Sequence, residues 1–345
     1  TEQQPETDGT AAWSSTTLVL VEIDAAGKRG TGWTYGSAAI APFIGERLSD
    51  VIEGCDALAV RNAWATMNAR VRNDVRGGLA SYAVAAVDVA LWDLRARLLD
   101  APLCDVLGLA REAVPVYGSG GFTSYDVTRL REQLGGWARD GMRAVKMKVG
   151  RDPAADPDRV AAARAAIGPA AALFVDANGA YTVEQAVELA AEFHRSGVSW
   201  FEQPIDHRDL AGTRFVKEHA PPGMAIASGE YITDTADAPS VAGAVDVLQA
   251  DATRCGGYTG LLAIDGYCDA ARMPLSTHCS PMLHLPVAAA SLRVRHMEYF
   301  YDHVRIEKML FDGFIEPVGG MLHPDRSRRG HGLTFKHADA QKFRV

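Results

Sequence analysis

Apolar residues crowd two short runs near the start of the chain, Leu18–Ile23 and Gly32–Tyr35, and both read as strands. Between them Asp24-Ala-Ala-Gly-Lys28 carries turn chemistry, so the pair predicts a hairpin. The period then lengthens. Over roughly Gly78 to Leu99, Val84, Val87, Ala90, Leu91, Leu94 and Leu98 recur at helical spacing, and Pro102 ends the run. Residues 1–112 therefore predict a small α+β unit.

From Val114 the texture changes to short apolar strands alternating with Ala-rich helices. The predicted strands are Val114–Tyr117, Ala144–Lys148, Leu173–Asp176, Val198–Glu202, Ala225–Glu230, Val245–Gln249, Pro274–His278 and His296–Phe300. Val183, Ala186, Val187, Ala190 and Phe193 form one of the intervening apolar stripes. Units repeating every ~20 to 30 residues predict a parallel (β/α) barrel over 113–301 rather than an open sheet. The Gly- and Arg-rich segment 302–345 is expected to pack back on the first unit.

With 345 residues, 48% of them apolar, the chain can bury a large core. Its formal charge of −8 gives no electrostatic reason to seek nucleic acid or an anionic membrane. A small acidic substrate would need local positive charge from a metal or lysines. No uninterrupted apolar run reaches the ~18 residues of a membrane span. Five cysteines without zinc-ligand or CxxC spacing do not make a disulfide scaffold, and a reducing cytoplasm is expected. Thr1 to Thr10 is polar and unlike a signal peptide. The chain lacks an initiator Met and is expected to begin inside a longer one.

Active sites of such barrels lie at the C-terminal ends of the strands. Those positions hold Lys146, Lys148, Asp176, Asn178, Glu202, Glu230, Asp251, His278 and Glu298. Asp176, Glu202 and Glu230 are spaced by 26 and 28 residues, one βα unit each, which makes them neighbours on one rim. A single acid there reads equally as a helix cap. Three adjacent carboxylates cannot all stay ionised without a cation, and oxygen-only ligands select a hard ion such as Mg²⁺.

In Val145-Lys146-Met147-Lys148-Val149, a period of two puts both lysines on one strand face. Beside a cation and a second ammonium, a lysine pKa is expected to fall into the range of a base. Asp251 and His278 end neighbouring strands, so Asp251 can accept one ring N–H and orient the imidazole. A metal stabilises the charge of an enediolate formed when an α-proton leaves a carboxylate. Glu298 could hydrogen-bond that carboxylate or protonate the enediolate.

At these residues the sequence resembles the enolase superfamily, mandelate racemase subgroup. The matching segments are Lys146-Met-Lys148, Asp176-Ala-Asn178, Phe201-Glu202-Gln-Pro204, Ser228-Gly-Glu230, Asp251-Ala-Thr-Arg-Cys-Gly-Gly257 and Ser276-Thr-His278, with Val87-Asp88-Val-Ala-Leu-Trp92-Asp93 in the first unit. The resemblance implies a (β/α)₇β-type TIM barrel under an N-terminal α+β capping domain that the C-terminal tail completes. It implies Asp176, Glu202 and Glu230 as Mg²⁺ ligands, Lys148 as base on one face with Lys146 beside it, and His278 backed by Asp251 on the other. It also implies Glu298 as a late acid, a small carboxylate substrate and a homo-oligomer. The family's opening cap strand is not apparent, which would place Thr1 to Thr16 in the substrate-covering loop. Trp13, Trp33 and Tyr35 are candidate substrate-facing aromatics, and Asn178 a candidate substrate contact.

The expected reaction is Mg²⁺-dependent removal of the α-proton of a hydroxy acid, leading to dehydration of a sugar acid. Racemisation or epimerisation of a 2-hydroxy acid is the alternative. A catalytically silent metal- and ligand-binding barrel is the alternative of another class. A hydrolase on the same fold has little support, since no Gly-x-Ser-x-Gly elbow or zinc-type His cluster occurs.

Overall fold

The computed structural model describes residues 4–74 and 76–345. The chain opens with an antiparallel ribbon, β1 (Glu6–Thr7) and β2 (Ala12–Trp13). The hairpin follows as β3 (Leu18–Ala25) and β4 (Lys28–Tyr35), and its turn is tighter than the sequence suggested because both strands run closer to Ala26-Gly27. Helices α1 (Ile40–Arg47), α2 (Ser49–Ile52) and α3 (Val60–Arg70) lead to the long α4 (Ser81–Leu98). The regular helix starts later than Gly78, because Gly77 and Gly78 leave helical geometry and Gly78 takes a φ of 99°.

Helix α4 is apolar on nearly every side, the pattern of a helix buried all round. Gly77–Leu98 is long and apolar enough to cross a membrane by composition, which a search for uninterrupted apolar runs misses. Some 78% of its most apolar 18-residue window is buried inside the protein, where it serves as a core helix. One face packs on the hairpin. Gly32 permits the contact, since a Cβ there would collide with Ala86 O and Ala90 N. The few polar residues of α4 tie it to its neighbours. Asp88 accepts from Thr259 N (2.9 Å) and Thr259 Oγ1 (2.6 Å).

After α5 (Leu103–Leu107) the chain enters the barrel. Its strands are β5 (Val114–Gly120), β6 (Ala144–Lys148), β7 (Ala172–Asp176), β8 (Val198–Glu202), β9 (Ala225–Ser228), β10 (Val247–Ala250), β11 (Leu275–Thr277) and β12 (Val294–Phe300). Each pairs in parallel with the next, and β12 closes on β5. The helices between them are α6 (Val127–Arg139), α7 (Asp156–Ile167), α8 (Val183–Arg195), α9 (Leu210–His219), α10 (Ala238–Ala242), α11 (Gly257–Ala271) and α12 (Pro281–Ala290). Local signals set their starts. Asp126 caps α6, Asp209 caps α9, and Thr182 with Gln185 forms a capping box on α8.

Helix α13 (Tyr301–Leu310) packs against β5 and β12 and stays with the barrel. Its His303 stacks on Tyr35 of the hairpin, and the segment that follows returns to the hairpin at Phe311. It carries the short strands β13 (Phe311–Asp312), β14 (Met321–Leu322) and β15 (Thr334–Phe335) and ends in α14 (His337–Ala340). Phe311 packs on Trp33, and His331 Nε2 lies 2.9 Å from Thr31 O. The ribbon β1–β2 meets the barrel beside α13, Trp13 Nε1 donating to Asp302 Oδ2 (2.8 Å). It lies on the barrel mouth, where Thr123 N donates to Thr7 O (2.8 Å) and Thr10 Oγ1 to Asn178 O (3.3 Å). Thr1–Gln3, the start of the expected loop, lie outside the described residues.

Candidate active site

Strand register turns the sequence spacing into a cluster. Lys148 pairs with Asp176 across β6 and β7, and Asp176 with Glu202 across β7 and β8. Strand β9 stops at Ser228, so Glu230 is beyond the strand rather than at its end. Gly229 makes the turn with φ 131°, and a Cβ there would strike Gln249 O. Ligand atoms of Asp176, Glu202 and Glu230 all lie within 4.8 Å of one another, and all three side chains are buried.

The lysines meet this cluster from β6. Lys148 Nζ is 2.5 Å from Asp176 Oδ2. Lys146 Nζ bridges Glu202 Oε1 (2.6 Å) and Glu298 Oε1 (2.8 Å), with Asp176 Oδ2 at 3.6 Å. On the other side, Asp251 Oδ2 accepts from His278 Nδ1 at 2.8 Å. His278 Nε2 then faces Glu230 Oε2 at 3.3 Å and Glu298 Oε2 at 3.9 Å. All eight predicted ionisable residues therefore come together.

Burial alone would raise every one of these carboxylates, and their neighbours decide the outcome. Asp176 is held below its ordinary range, because Lys148 and Lys146 outweigh burial. Glu202 is pushed up to about 8 by burial and by the charge of Asp176. Lys146, His278 and Lys148 hold Glu298 well below its usual value against burial. Burial would lower His278, but Glu230 and the hydrogen bond it donates to Asp251 outweigh burial and raise the imidazole. Lys148 departs from expectation. Burial lowers it, yet Asp176 at contact distance raises it above the ordinary lysine range. A cation competing for Asp176 is what the sequence argument assumed.

The weaker candidates divide. Asn178 adjoins the cluster, its N–H donating to Asp176 Oδ1 (2.9 Å), while its own Oδ1 is buried without a hydrogen bond. Trp13, half-buried on the ribbon, donates to Asp302 Oδ2 (2.8 Å) and stands edge-on to Phe122. Phe122 meets Phe300, whose ring centroid is 5.9 Å from Lys148 Nζ. Tyr35 stacks on His303, which lies 3.3 Å from Ser280 Oγ just after the His278 loop. Trp33 is a correction. It is fully buried between Phe311 and His331 in the seam of hairpin and tail, so its neighbours are packing partners.

Several neighbours were missed by the sequence reading. Ser119 Oγ donates to Glu298 Oε1 (2.6 Å) and Trp200 Nε1 to Glu202 Oε2 (3.0 Å). Both face inward by the period-two rule along their strands, a usable signal. Arg254 Nη1 is 3.5 Å from Glu230 Oε1, and its Nε is 3.6 Å from Asp251 Oδ2. Its segment was noticed, but its role was not. Cys279 Sγ lies 3.2 Å from His278 Nε2, and nothing in the sequence marked it.

Comparison with known proteins fits this geometry. Residues 2–108 match the mandelate racemase / muconate lactonizing enzyme N-terminal domain, and residues 129–340 match the enolase C-terminal domain-like family. The chain belongs to the mandelate racemase subgroup of the enolase superfamily. A mandelate racemase/muconate lactonizing enzyme-like protein from Rubrobacter xylanophilus superposes with a TM-score of 0.97 at 50% identity, covering 99% of this chain and 95% of that one. A racemase from Streptomyces coelicolor A3(2) with bound magnesium gives 0.93 at 30%, covering 99% and 96%. The 3,6-anhydro-alpha-L-galactonate cycloisomerase of Streptomyces coelicolor is 33% identical over 328 residues, 92% of this chain and 89% of its own. Other relatives in the superfamily are sugar-acid dehydratases and an epimerase.

This enolase-superfamily chain is thus an enzyme of the lyase or isomerase kind, with magnesium as its ion. The donor set fits. Three carboxylates converge on one point, Glu230 Oε2 is buried without a hydrogen bond, and Glu202 is raised by its acidic neighbour. A divalent cation relieves all three conditions.

Proposed function

We propose that Lys148 removes the α-proton of a polyhydroxy carboxylate and that the enediolate then loses its β-hydroxyl, giving a 2-keto-3-deoxy acid. The supporting observation is the placement of two bases at opposite ends of one carboxylate cluster. Lys148 is joined to Asp176 (2.5 Å), and His278 faces Glu230 (3.3 Å). Asp176, Glu202 and Glu230 would hold Mg²⁺, which supplies charge neutralisation for the substrate carboxylate.

In this reading Lys146, fixed by Glu202 and Glu298, offers its ammonium to the carboxylate as negative charge grows. The C2–H electrons move into the C1–C2 bond, and the proton goes to Lys148. Collapse of the enediolate expels the C3 oxygen, with a proton from His278, as water. Asp251 keeps the imidazole oriented throughout. The enol then ketonises to the product.

Dehydration is favoured over epimerisation because relatives over nearly the whole chain include an L-talarate/galactarate dehydratase, an arabinonate dehydratase and a D-gluconate dehydratase. Epimerisation needs only that His278 return a proton to C2 from the other side, and the same two bases support it. A silent binding barrel has no use for both bases. All five cysteines are free, in keeping with a reducing cytoplasm. We also propose a homo-oligomer, by analogy with the family.

The test is NMR of a sugar-acid panel with Mg²⁺ in D₂O. Loss of the α-proton with a new C3 methylene signal supports dehydration. Deuterium at C2 without a methylene signal supports epimerisation. No exchange with any acid, together with retained ligand binding, favours the binding barrel.

A further inference from the structure

Three electron-rich atoms converge beside the carboxylate cluster. His278 gives one ring nitrogen to Asp251, and its Nε2 turns to Cys279 Sγ at 3.2 Å and Glu298 Oε2 at 3.9 Å. The three potential ligand atoms lie within 4.8 Å of one another, and all three residues are buried. Cys279 (φ 52°) and Ser280 (φ 38°) both take left-handed backbone, uncommon for residues other than glycine. That bend carries the thiol back against the imidazole of the residue before it. Glu298 Oε2 is held in place by the Cys279 N–H at 2.8 Å.

With Nδ1–H given to Asp251, Nε2 presents a lone pair toward sulfur and carboxylate oxygens. Without an ion, the Cys279 S–H donates to that lone pair at 3.2 Å. A cation that takes nitrogen, sulfur and oxygen together uses all three. Nitrogen and sulfur donors select borderline and soft ions, Zn²⁺ or Cd²⁺, over Mg²⁺. Zinc bonds of ~2.0 Å to nitrogen and ~2.3 Å to sulfur at a tetrahedral angle put the two donors about 3.5 Å apart, close to the separation here. The Asp251–His278 hydrogen bond is the outer-shell support that ligating imidazoles carry.

We propose that His278 Nε2, Cys279 Sγ and Glu298 Oε2 form a second cation site, selective for Zn²⁺ or Cd²⁺, that inhibits the enzyme by occupying the imidazole face. It adjoins the Asp176–Glu202–Glu230 site, which offers oxygen alone, with His278 Nε2 3.3 Å from Glu230 Oε2. On binding, the thiol gives its proton to solvent and the thiolate binds the ion. The site itself does not depend on the role proposed for His278. Only the inhibitory consequence rests on that reading.

The experiment uses Mg²⁺-saturated protein carrying Cys55→Ser, since Cys55 is the exposed cysteine. Cd²⁺ is titrated while thiolate-to-cadmium charge-transfer absorption is followed, with stoichiometry from equilibrium dialysis. The expected result is one saturable ion per chain with a thiolate signal. Cys279→Ala should abolish the signal and weaken Cd²⁺ binding by at least about tenfold, with Mg²⁺ binding and melting temperature retained. His278→Gln should weaken Cd²⁺ binding while a reduced signal remains. A protein that shows no thiolate signal, or whose signal survives in Cys279→Ala, overturns the proposal. Because the readout is spectroscopic, it stands or falls independently of whether any sugar acid is turned over.

Discussion

Lys148 Nζ rests 2.5 Å from Asp176 Oδ2, so the proposed base and a proposed metal ligand hold each other. A cation that draws Asp176 away loosens that grip and lets the lysine give up its proton more readily. Lys148→Ala is therefore expected to bind Mg²⁺ at least as well as the wild type while losing α-proton exchange by about 10²- to 10⁴-fold, the usual contribution of a general base. Calorimetric Mg²⁺ titration and exchange rates in D₂O check the two halves separately. Weakened Mg²⁺ binding in this variant would contradict the coupling.

Mg²⁺ itself should stabilise the fold. At a hundred times its dissociation constant, an ion that binds only the folded state adds about 2.7 kcal/mol. Melting temperature should rise with Mg²⁺ in the wild type and barely move in Asp176→Asn. An equal rise in both proteins would place the ion elsewhere.

Docking of the ribbon should depend on pH. Glu6 is buried against Tyr125 Oη (3.1 Å), Arg305 Nη1 (3.8 Å) and Asp302, and its carboxyl is pushed up to about 7, first by burial and then by Asp302. A raised pKa means that the docked form keeps a proton that the free segment releases above about 4.5. Docking is strongest below that value and weakens as pH rises toward about 7. Hydrogen-exchange protection factors for residues 6–13 should fall over this window, and Glu6→Gln should flatten the profile. A protection profile unchanged in Glu6→Gln would count against the assignment.

Asp93 is a buried hub. It accepts from Thr31 N (2.9 Å), Arg97 Nε (2.7 Å) and His331 N (2.8 Å). Asp93→Ala leaves those donors unpaired and should cost about 3–5 kcal/mol, as breaking a buried charged pair does. Denaturant unfolding measures it, and a loss under 1 kcal/mol would show that water replaces the carboxylate.

The barrel and its charged rim were legible because parallel strands, buried on both faces, read as apolar runs that stop where a polar residue begins. That rule makes Asp176 and Glu202 neighbours on one rim, and they are register partners across β7 and β8. It could not place Trp33, since an aromatic residue on a hairpin looks the same whether it faces a ligand or a tail some 280 residues further on. Phe311 decides that, through a contact of no local signature. Cys279 escaped for a related reason. Its approach to His278 comes from a left-handed backbone that non-glycine residues seldom adopt and that sequence does not announce. Composition alone leaves α4 ambiguous, because the helix is apolar enough for a bilayer even with Asp88 and Asp93 in it, and its burial makes it a core helix.

Asp93 and His331 are 238 residues apart, and that separation sets an order of assembly. During synthesis the long apolar helix α4 emerges early, but the backbone that completes its polar contacts leaves the ribosome among the last. Through most of translation the Asp93 carboxylate has Thr31 and Arg97 within reach but not His331, while the later barrel strands are still being made. The nascent chain therefore carries an apolar helix with its polar contacts incomplete while the barrel is made, and its cap is finished only after release.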